Sequence, residues 1–417
     1  MRRLTPLTRS GTRITSMLKR FWLWLGRLLG KLLLTLIVLG LIGWGIGEGY
    51  YAWKFSGPVS TQEEIAADEA ALTRLIIEDA VRIVEQHRDN TRVLRDAHAK
   101  AHGCVRAEVQ VLDDLDESLR QGVFAEPGHT WQAWMRLSNG NAYPQFDRAR
   151  DARGMAIKLL DVPGEKLMKN PLHAGDQDFV MFNNTAFFVR DVAEYRSNFA
   201  AQADGKKVLA FFPSWDPRTW EIRHLFIALK TLAPAPETPV ATTYNSIAPF
   251  KLGSLNIKYR VVPAPQNCPP YELPEQNTAL PNFLRNALYQ QLSLDRAPAC
   301  FELQVQKQNA QYYMPIEDTS VEWSEKISPF ESVARITVPA QDFDSREQNL
   351  FCDNLSFNSW HALAEHRPIG GINRLRKSVY EAVSAYRHQR NAHVVAPAPA
   401  GVGLGPVTNN RTAELSD

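Results

Sequence analysis

The chain reads Arg150-Asp-Ala-Arg-Gly-Met-Ala-Ile-Lys158 and, further along, Asn183-Asn-Thr-Ala-Phe-Phe-Val-Arg-Asp191. The first stretch leads into residues 155–160 and the second contains residues 186–189, and both of these runs have the apolar content of short strands. Gly, Pro, Asn and Asp residues separate such runs and mark turns between them. These two stretches therefore predict a β-rich domain in this part of the chain.

Patterns typical of strands and helices can be identified along most of the sequence. Further strands are predicted at residues 105–112, 130–137, 178–181, 255–262, 300–306 and 334–338. Helices are predicted to begin at a capping box near Ser60 and Thr61 and to end about Gln86, and again at residues 191–212, 216–231 and 373–389. This layout indicates an α+β fold, in which helices surround a large antiparallel β domain.

The N-terminal region differs from the rest in charge and hydropathy. Residues 1–31 contain eight basic residues and no acidic residue, whereas the net charge of the whole chain is only +2, so the remainder is mildly acidic. That acidity argues against a nucleic-acid partner. An apolar run follows, and it predicts an uncleaved transmembrane anchor at residues 32–53 with a cytoplasmic N-terminus. A cleaved signal peptide is the alternative interpretation.

Four regions follow from this organisation. Their bounds are a basic cytoplasmic arm at 1–31, the anchor at 32–53, a globular domain at 54–394 and a disordered tail at 395–417, which is rich in Ala, Pro and Gly. The four cysteines have no metal-ligand spacing. In an exported domain a disulfide such as Cys268–Cys300 is one interpretation, and four unpaired core cysteines are the other.

A helical stretch near the C-terminus carries the first chemical signal. Arg376 and Tyr380 are four residues apart, which places them on the same face of a helix, one turn from each other. A fixed guanidinium favours the phenolate form of a nearby tyrosine, and a phenolate is a usable anionic metal ligand. On its own this pair is weak evidence, because such pairs arise by chance on many helices.

Four segments, taken in order, resemble the haem catalase superfamily, and in particular its shorter catalase-like members, which are related to the allene oxide synthases. They are Arg95-Asp-Ala-His98-Ala-Lys100, similar to Arg-Val-Val-His-Ala-Lys; Met135-Arg136-Leu-Ser138; the two stretches quoted above; and Arg376-x-x-x-Tyr380 with Arg387. The resemblance implies a catalase-like antiparallel β-barrel with surrounding helices, here preceded by one N-terminal transmembrane helix. It also implies haem as the cofactor.

The resemblance assigns a role to each of these residues. His98 would move the proton between the two peroxide oxygens, Ser138 would set the tautomer of its imidazole, and Asn183 would orient the peroxide, with Asn184 as the alternative. Tyr380 would bind the iron and Arg376 would keep it charged. The remaining haem contacts are assigned to Arg95, Arg136 and Arg387, which match propionate-binding positions, and to Phe187 and Tyr195.

Two departures from the family pattern bear on the substrate. Ala97 stands where catalases have the valine before the distal histidine, which would widen the approach to the iron. Tyr195 stands where they have a phenylalanine near the haem. These changes favour a site that also admits organic peroxides or organic electron donors.

The leading hypothesis is a haem-dependent enzyme that decomposes hydrogen peroxide, or reduces organic hydroperoxides, and protects against oxidative stress. Its predicted location is a bacterial-type inner membrane, with one membrane pass and a periplasmic catalytic domain. The alternatives are a fatty-acid hydroperoxide isomerase or dehydratase like the allene oxide synthases, and a haem-binding protein without enzymatic activity. The resemblance also allows a homo-oligomer.

Overall fold

The computed structural model describes residues 20–35, 38, 40, 42, 45, 56–87, 92–205, 211–212, 214–216 and 219–391. The chain forms two compact units, Met1–Pro58 and Val59–Asp417. In the first unit, residues 20–35 are helical (α1). Most of the predicted anchor at 32–53 and all of the predicted tail at 395–417 lie outside the described residues. Within the described part of the chain, no helix combines the length and the apolar character that a membrane crossing needs.

A closed antiparallel barrel forms the centre of the second unit. Its strands run in the order β5-β4-β3-β2-β1-β9-β8-β7, and β5 also pairs with β7, so that eight strands close on themselves. A short additional strand, β6, pairs with β7 alone. The strands are β1 (Ala101–Val111), β2 (Thr130–Asn139), β3 (Arg153–Leu159), β4 (Gln177–Phe182), β5 (Tyr244–Asn245), β6 (Phe250–Leu252), β7 (Leu255–Pro263), β8 (Ala299–Lys307) and β9 (Glu331–Val338).

The barrel interior is the main hydrophobic core. In β1, every second side chain from Val105 to Val111 is buried in it, as the two-residue period of a strand requires. Large side chains such as Phe301 and Tyr244 are fully buried in the same core. The structure therefore confirms the α+β fold and the antiparallel barrel.

Six helices lie in the second unit with this barrel. They are α2 (Glu69–Gln86), α3 (Val192–Ala203), α4 (Ile222–Thr231), α5 (Phe283–Tyr289), α6 (Arg346–Asn354) and α7 (Gly371–Asn391). A second apolar cluster joins α2 to α7, with Ile76 of α2 and Leu375 and Val379 of α7 buried in it. Helices α2, α3 and α7 are mutual neighbours.

Two local predictions are wrong, for reasons that lie in tertiary contacts. Helix α2 begins at Glu69 rather than near Ser60, because Glu63 accepts hydrogen bonds from Arg367 (2.5 Å) and the backbone of Gly370 (2.9 Å) and is held in an extended segment. Residues 186–189 form no strand. The backbone N–H of Phe187 donates to the carbonyl of Thr319 (2.8 Å), which lies in a loop, and this segment is not part of a sheet.

The cysteines separate into two kinds. Cys268 and Cys300 form a disulfide, which is the first of the two sequence-based interpretations. Cys104 and Cys352 are free and buried, and they pack with Trp134 in a small cluster between β1, β2 and α6.

Candidate functional site

His98 lies in the segment just before β1 and is held there by its backbone. Its N–H donates to the carbonyl of Gly140 (3.0 Å), and its φ of 58° is in the left-handed region, which is uncommon for a non-glycine residue. The ring Nδ1 lies 3.1 Å from Oγ of Ser138 on β2. Gly154 of β3 faces the same ring, since a Cβ built on it would lie 2.4 Å from Nδ1. The imidazole is therefore clamped between two strands.

The surroundings of His98 favour its neutral form. Burial, together with the charges of Arg136 and Arg376, lowers the pKa of His98 to about 3. A neutral imidazole keeps one nitrogen as an acceptor, so His98 is available as a base across the neutral pH range. Because the charge of Arg376 acts on His98, this part of α7 lies near the imidazole.

Three arginines converge beside His98, of which Arg136 and Arg387 are buried and Arg95 is partly buried. Arg95 comes from the segment before β1, Arg136 from β2 and Arg387 from α7. Burial lowers the pKa of Arg95 well below its usual range, and the charges of Arg136 and Arg387 lower it further. Burial and the charge of Arg136 similarly lower the pKa of Arg387 to about 10. This mutual repulsion indicates that the three guanidinium groups lie close together, and the negative charge of Asp353 opposes it only in part.

Backbone carbonyl oxygens accept hydrogen bonds from these arginines and so stabilise part of their positive charge. Arg95 and Arg387 both donate to the carbonyl of Leu355, at 2.6 and 3.2 Å, and Leu355 is the C-cap of α6. The C-terminal end of a helix carries partial negative charge, which suits cations. Arg136 donates instead to the carbonyl of His98 (2.8 Å), so that this cluster also fixes the base.

Tyr380 lies on α7, and Arg376 lies one turn before it, as the sequence pattern predicts. The guanidinium carbon of Arg376 is 5.8 Å from the centre of the Tyr380 ring and contacts its face. The Tyr380 ring packs at the edge of the apolar cluster shared by α2 and α7. Nη1 of Arg376 is buried and has no hydrogen-bond partner within the described residues.

The position of α7 is fixed by polar contacts at its first turns. Arg374 donates to Glu63 (2.7 Å), Glu69 (2.7 Å) and Glu317 (3.1 Å). Together these charge-assisted bonds fasten the start of α7 and so set the location of Tyr380.

A second chain of bonds links α7 to the barrel. Lys158 of β3 pairs with the buried Asp178 of β4 (2.8 Å), which accepts from the backbone of Asn358 (2.8 Å). The side chain of Asn358 then donates to the carbonyl of Lys377 on α7 (3.2 Å). These bonds therefore fix α7, which carries Tyr380, against the barrel, whose strands β2 and β3 clamp His98.

The two candidate amides, Asn183 and Asn184, differ in which hydrogen-bonding atoms remain free to contact a ligand. Oδ1 of Asn183 accepts from the backbone of Arg153 (2.8 Å), and Nδ2 donates to the carbonyl of Thr231 (3.2 Å). Asn183 is partly exposed, and the second hydrogen of its Nδ2 is left over. Asn184 is only 4% exposed and uses Nδ2 to bond Oγ1 of Thr231 (2.7 Å). Asn183 is thus better placed to contact a small ligand.

Part of this sequence and the fold as a whole are similar to those of known proteins. The catalase family model matches residues 56–214, a range that contains His98, Ser138 and both conserved-looking stretches. The fold is similar to that of a fungal catalase (TM-score 0.56, 15% identity, 86% of this chain and 76% of that one). It is also similar to catalase A from Saccharomyces cerevisiae (TM-score 0.52, 14% identity, 86% and 78%). No curated protein sequence matches.

Residues 56–214 thus carry a catalase-family match, and the fold of the chain is that of the catalases. The catalase family typically binds haem, so the question is whether the residues of this chain fit that group. Haem carries two propionates, which need cationic donors. Nε of Arg136 and Nε of Arg387 are buried without a partner in the described part of the chain, and Asp353 offsets the repulsion within the arginine cluster only in part. Two carboxylates would satisfy both deficits, so these residues fit haem.

One polar residue of this candidate site was not identified from the sequence. Asp96 lies between Arg95 and His98, and burial raises its pKa to about 6 despite a bond from the backbone of Ala97. A signal was available, because the similar family segment has valine at this position. The unexpected feature is a carboxyl group that is half-protonated near pH 6 beside the base.

The aromatic residues assigned to the haem pocket are also brought together. The rings of Phe187 and Tyr195 lie 6.1 Å apart, and both pack against the cluster that includes Tyr380. Burial raises the pKa of Tyr195, and the charges of Asp96 and Tyr380 add to the effect. Tyr195 therefore presents a neutral hydroxyl between the segment of His98 and helix α7.

Proposed function

We propose that this protein binds haem and decomposes hydrogen peroxide. The observation that supports this most is the joint placement of a neutral, clamped histidine and three under-compensated arginines in one buried region. A base suits proton transfer within a peroxide, and the arginines suit an anionic cofactor. The barrel fold and the family match agree with the proposal at the level of the superfamily.

The residues of this chain would have the following roles. Arg95, Arg136 and Arg387 would hold the propionates, and the phenolic oxygen of Tyr380 would be the protein ligand of the iron. When bound, the haem iron supplies the redox chemistry of peroxide decomposition.

On the distal side, His98 would accept the proton of one peroxide oxygen and return it to the other. Ser138, which lies 3.1 Å from Nδ1, would fix which nitrogen carries the proton. Asn183 would direct the remaining hydrogen of its Nδ2 at the peroxide. Its other amide contacts keep that group still, which preserves the geometry between turnovers.

Oxygen release from hydrogen peroxide by the haem-loaded full chain tests this proposal. His98→Ala is expected to lower kcat by about 10²- to 10⁴-fold, because it removes the base. The matched control is His129→Ala, since His129 is about one-third exposed at the surface. If His98→Ala retained full turnover, the protein would be a haem-binding protein whose peroxide activity does not depend on this site.

A second candidate function keeps the haem and changes the substrate. Ala97, next to the base, leaves more room than a larger aliphatic residue would, and Tyr195 and Asp96 add polar groups to the same region. These features favour a fatty-acid hydroperoxide, which an isomerase or dehydratase would convert without releasing oxygen. Consumption of a lipid hydroperoxide, measured beside oxygen release from hydrogen peroxide, separates the two functions.

The location of the protein stays a prediction from residues 1–53. The basic arm and the apolar run that follows it support a single-pass anchor with the catalytic domain outside the inner membrane. Cell fractionation with protease treatment of intact spheroplasts would test it, because an external domain would be digested.

A further inference from the structure

A group of potential metal ligands lies where α3 and α4 begin, apart from the arginine cluster. Glu194 is the third residue of α3, Glu221 is the N-cap of α4, and His224 lies in the first turn of α4. Nδ1 of His224 is 3.4 Å from Oε2 of Glu194 and 3.8 Å from Oε2 of Glu221. The three ligand atoms all lie within 4.8 Å of one another.

His224 is the unexplained member of this group. Its side chain is 8% exposed, and its Nδ1 has no hydrogen-bond partner among the residues that the structure describes. A buried polar atom without a hydrogen-bond partner is destabilising, so an imidazole in this position needs a reason. Helix N-termini favour carboxylates and so account for Glu194 and Glu221. They do not account for an unbonded nitrogen that faces both of them.

The spacing of these atoms suits a shared cation. Zinc binds nitrogen and oxygen ligands at about 2.0–2.2 Å, and in a tetrahedral site this places neighbouring ligand atoms roughly 3.3–3.6 Å apart. The 3.4 Å separation between His224 and Glu194 falls in that range, and the 3.8 Å separation to Glu221 needs only a small side-chain movement. One imidazole and two carboxylates are a donor set that zinc accepts.

The carboxylate of Glu194 is held in place by Arg190. The guanidinium of Arg190 pairs with Oε1 of Glu194, and its backbone N–H donates to Oε2 of the same residue (2.8 Å). Glu221 adds a second carboxylate, whose Oε2 lies 3.8 Å from Nδ1 of His224. Nδ1 of His224 therefore faces two carboxylates, of which one has an arginine partner.

A second group of similar composition makes the contrast clear. His173, Asp176 and His361 also lie close together, but Nζ of Lys158 is 2.6 Å from Oδ2 of Asp176. An ammonium group already lies at the carboxylate there, and Nδ1 of His173 bonds the same oxygen (2.7 Å). The difference between the groups lies in the histidines: Nδ1 of His173 has a partner, whereas Nδ1 of His224 has no hydrogen-bond partner among the described residues.

We propose that Glu194, Glu221 and His224 bind one divalent transition-metal ion of the zinc type. The ion would satisfy Nδ1 of His224 and join the start of α4 to the start of α3. This site is separate from the haem proposal, because none of its three residues belongs to the residues assigned to haem or peroxide.

The test is Zn²⁺ binding to the full chain after treatment with a chelator, measured by isothermal titration calorimetry and by metal content. One Zn²⁺ per chain is expected, and excess Mg²⁺ should not displace it, because imidazole is a poor ligand for that ion. His224→Asn and Glu221→Gln should each weaken binding by at least about 10-fold. His129→Asn is the matched control, since His129 lies near only one acidic side chain, Glu126 (3.5 Å).

Two results would overturn the proposal: the absence of stoichiometric Zn²⁺ binding, or equal affinity in both variants and the wild type. Glu221→Gln keeps the test valid if His224→Asn does not fold, because Glu221 is partly exposed (23% of its side chain). Haem content, read from the Soret band, should stay unchanged in Glu221→Gln. A loss of Zn²⁺ binding with normal haem content would show that the two sites are independent.

Discussion

Gly154 lies directly against the imidazole of His98, and a Cβ at this position would come within 2.4 Å of both Cε1 and Nδ1 of the ring. The same Cβ would also lie 3.1 Å from Oγ of Ser138. Real Cβ contacts are not this short, so any residue other than glycine here must displace the histidine or the strand. The glycine in the Arg-Gly pair of β3 is therefore part of the site, because it makes room for the base.

Gly154→Ala is expected to lower peroxide turnover by roughly 10²-fold or more, since a displacement of the base by about 1 Å has effects of that size. Overpacking should also cost about 1–3 kcal/mol of stability. Gly175→Ala is the control, because its Cβ would meet its neighbours at ordinary distances of 3.4 Å or more. Initial rates of oxygen release and urea unfolding measure the two effects, and unchanged turnover in Gly154→Ala would contradict the placement of His98.

Arg136→Gln is expected to weaken haem binding by about 10-fold or more, because a hydrogen bond between charged groups contributes roughly 1.5–3 kcal/mol. In the haem-free protein the same change relieves repulsion on Arg95 and Arg387. Stability of the haem-free form should therefore fall little, so that affinity and stability separate. Haem titration followed at the Soret band is the measurement. Arg260→Gln, which removes a cation from the barrel surface, should bind haem normally.

Stability should fall as the pH is lowered from 7 to 5, because buried histidines must stay neutral. Burial lowers the pKa of His102 and of His366 to about 3, and Nε2 of His366 accepts from the backbone of Val123 (2.9 Å). The unfolded chain binds protons below about pH 6.5 while the folded chain does not, so stability is complete above that pH. Each such histidine accounts for a loss of about 2 kcal/mol between pH 7 and 5.

His366→Gln removes one titrating group and keeps an acceptor for the Val123 N–H. Its unfolding free energy should therefore decline less than that of the wild type between pH 7 and 5, whatever its stability at pH 7. Urea titrations at the two pH values give the comparison, with the surface change His129→Gln as control. An identical pH dependence in His366→Gln would show that His366 is not held neutral.

Arg374→Met should destabilise the protein by roughly 3 kcal/mol, because three largely buried carboxylates lose a shared cationic partner, although Glu63 keeps its bond from Arg367. Those carboxylates belong to Glu63, Glu69 and Glu317, which Arg374 joins to the first turn of α7. Arg82→Met is a suitable control, since nearly half of its side chain is exposed. The midpoint of urea unfolding reports the difference. A loss below 1 kcal/mol would mean that α7 is held mainly by its apolar face.

The strands were the most predictable part of the fold. Strands β1, β2, β3, β4, β7, β8 and β9 all overlap predicted runs, since alternation of apolar side chains is a local property. Helices α5 and α6 and the short strands β5 and β6 were not predicted. They are too short for a clear period, and their positions depend on contacts with distant segments.

In the candidate site, too, local patterns could be predicted from the sequence, whereas features that depend on distant residues could not. Arg376 and Tyr380 could be paired from their spacing, and the order of the four segments pointed to the superfamily. Asp96 and Gly154 were overlooked, although both lie inside quoted segments, because their importance depends on what faces them. The metal group of Glu194, Glu221 and His224 has no local motif, since α3 and α4 bring its members together from 30 residues apart.

The sequence by itself determined the alternating strands, the amphipathic α7 and the resemblance to the catalase superfamily, because each of these depends on residues close together in the chain. Only the tertiary structure decided which charges are compensated. Arg95 donates to the carbonyl of Leu355, 260 residues away, and Nε of Arg136, Nε of Arg387 and Nδ1 of His224 have no partner among the described residues. The burial of a side chain and the charges around it depend on every segment that packs against it. The buried nitrogens without hydrogen-bond partners are the observations that indicate ligands.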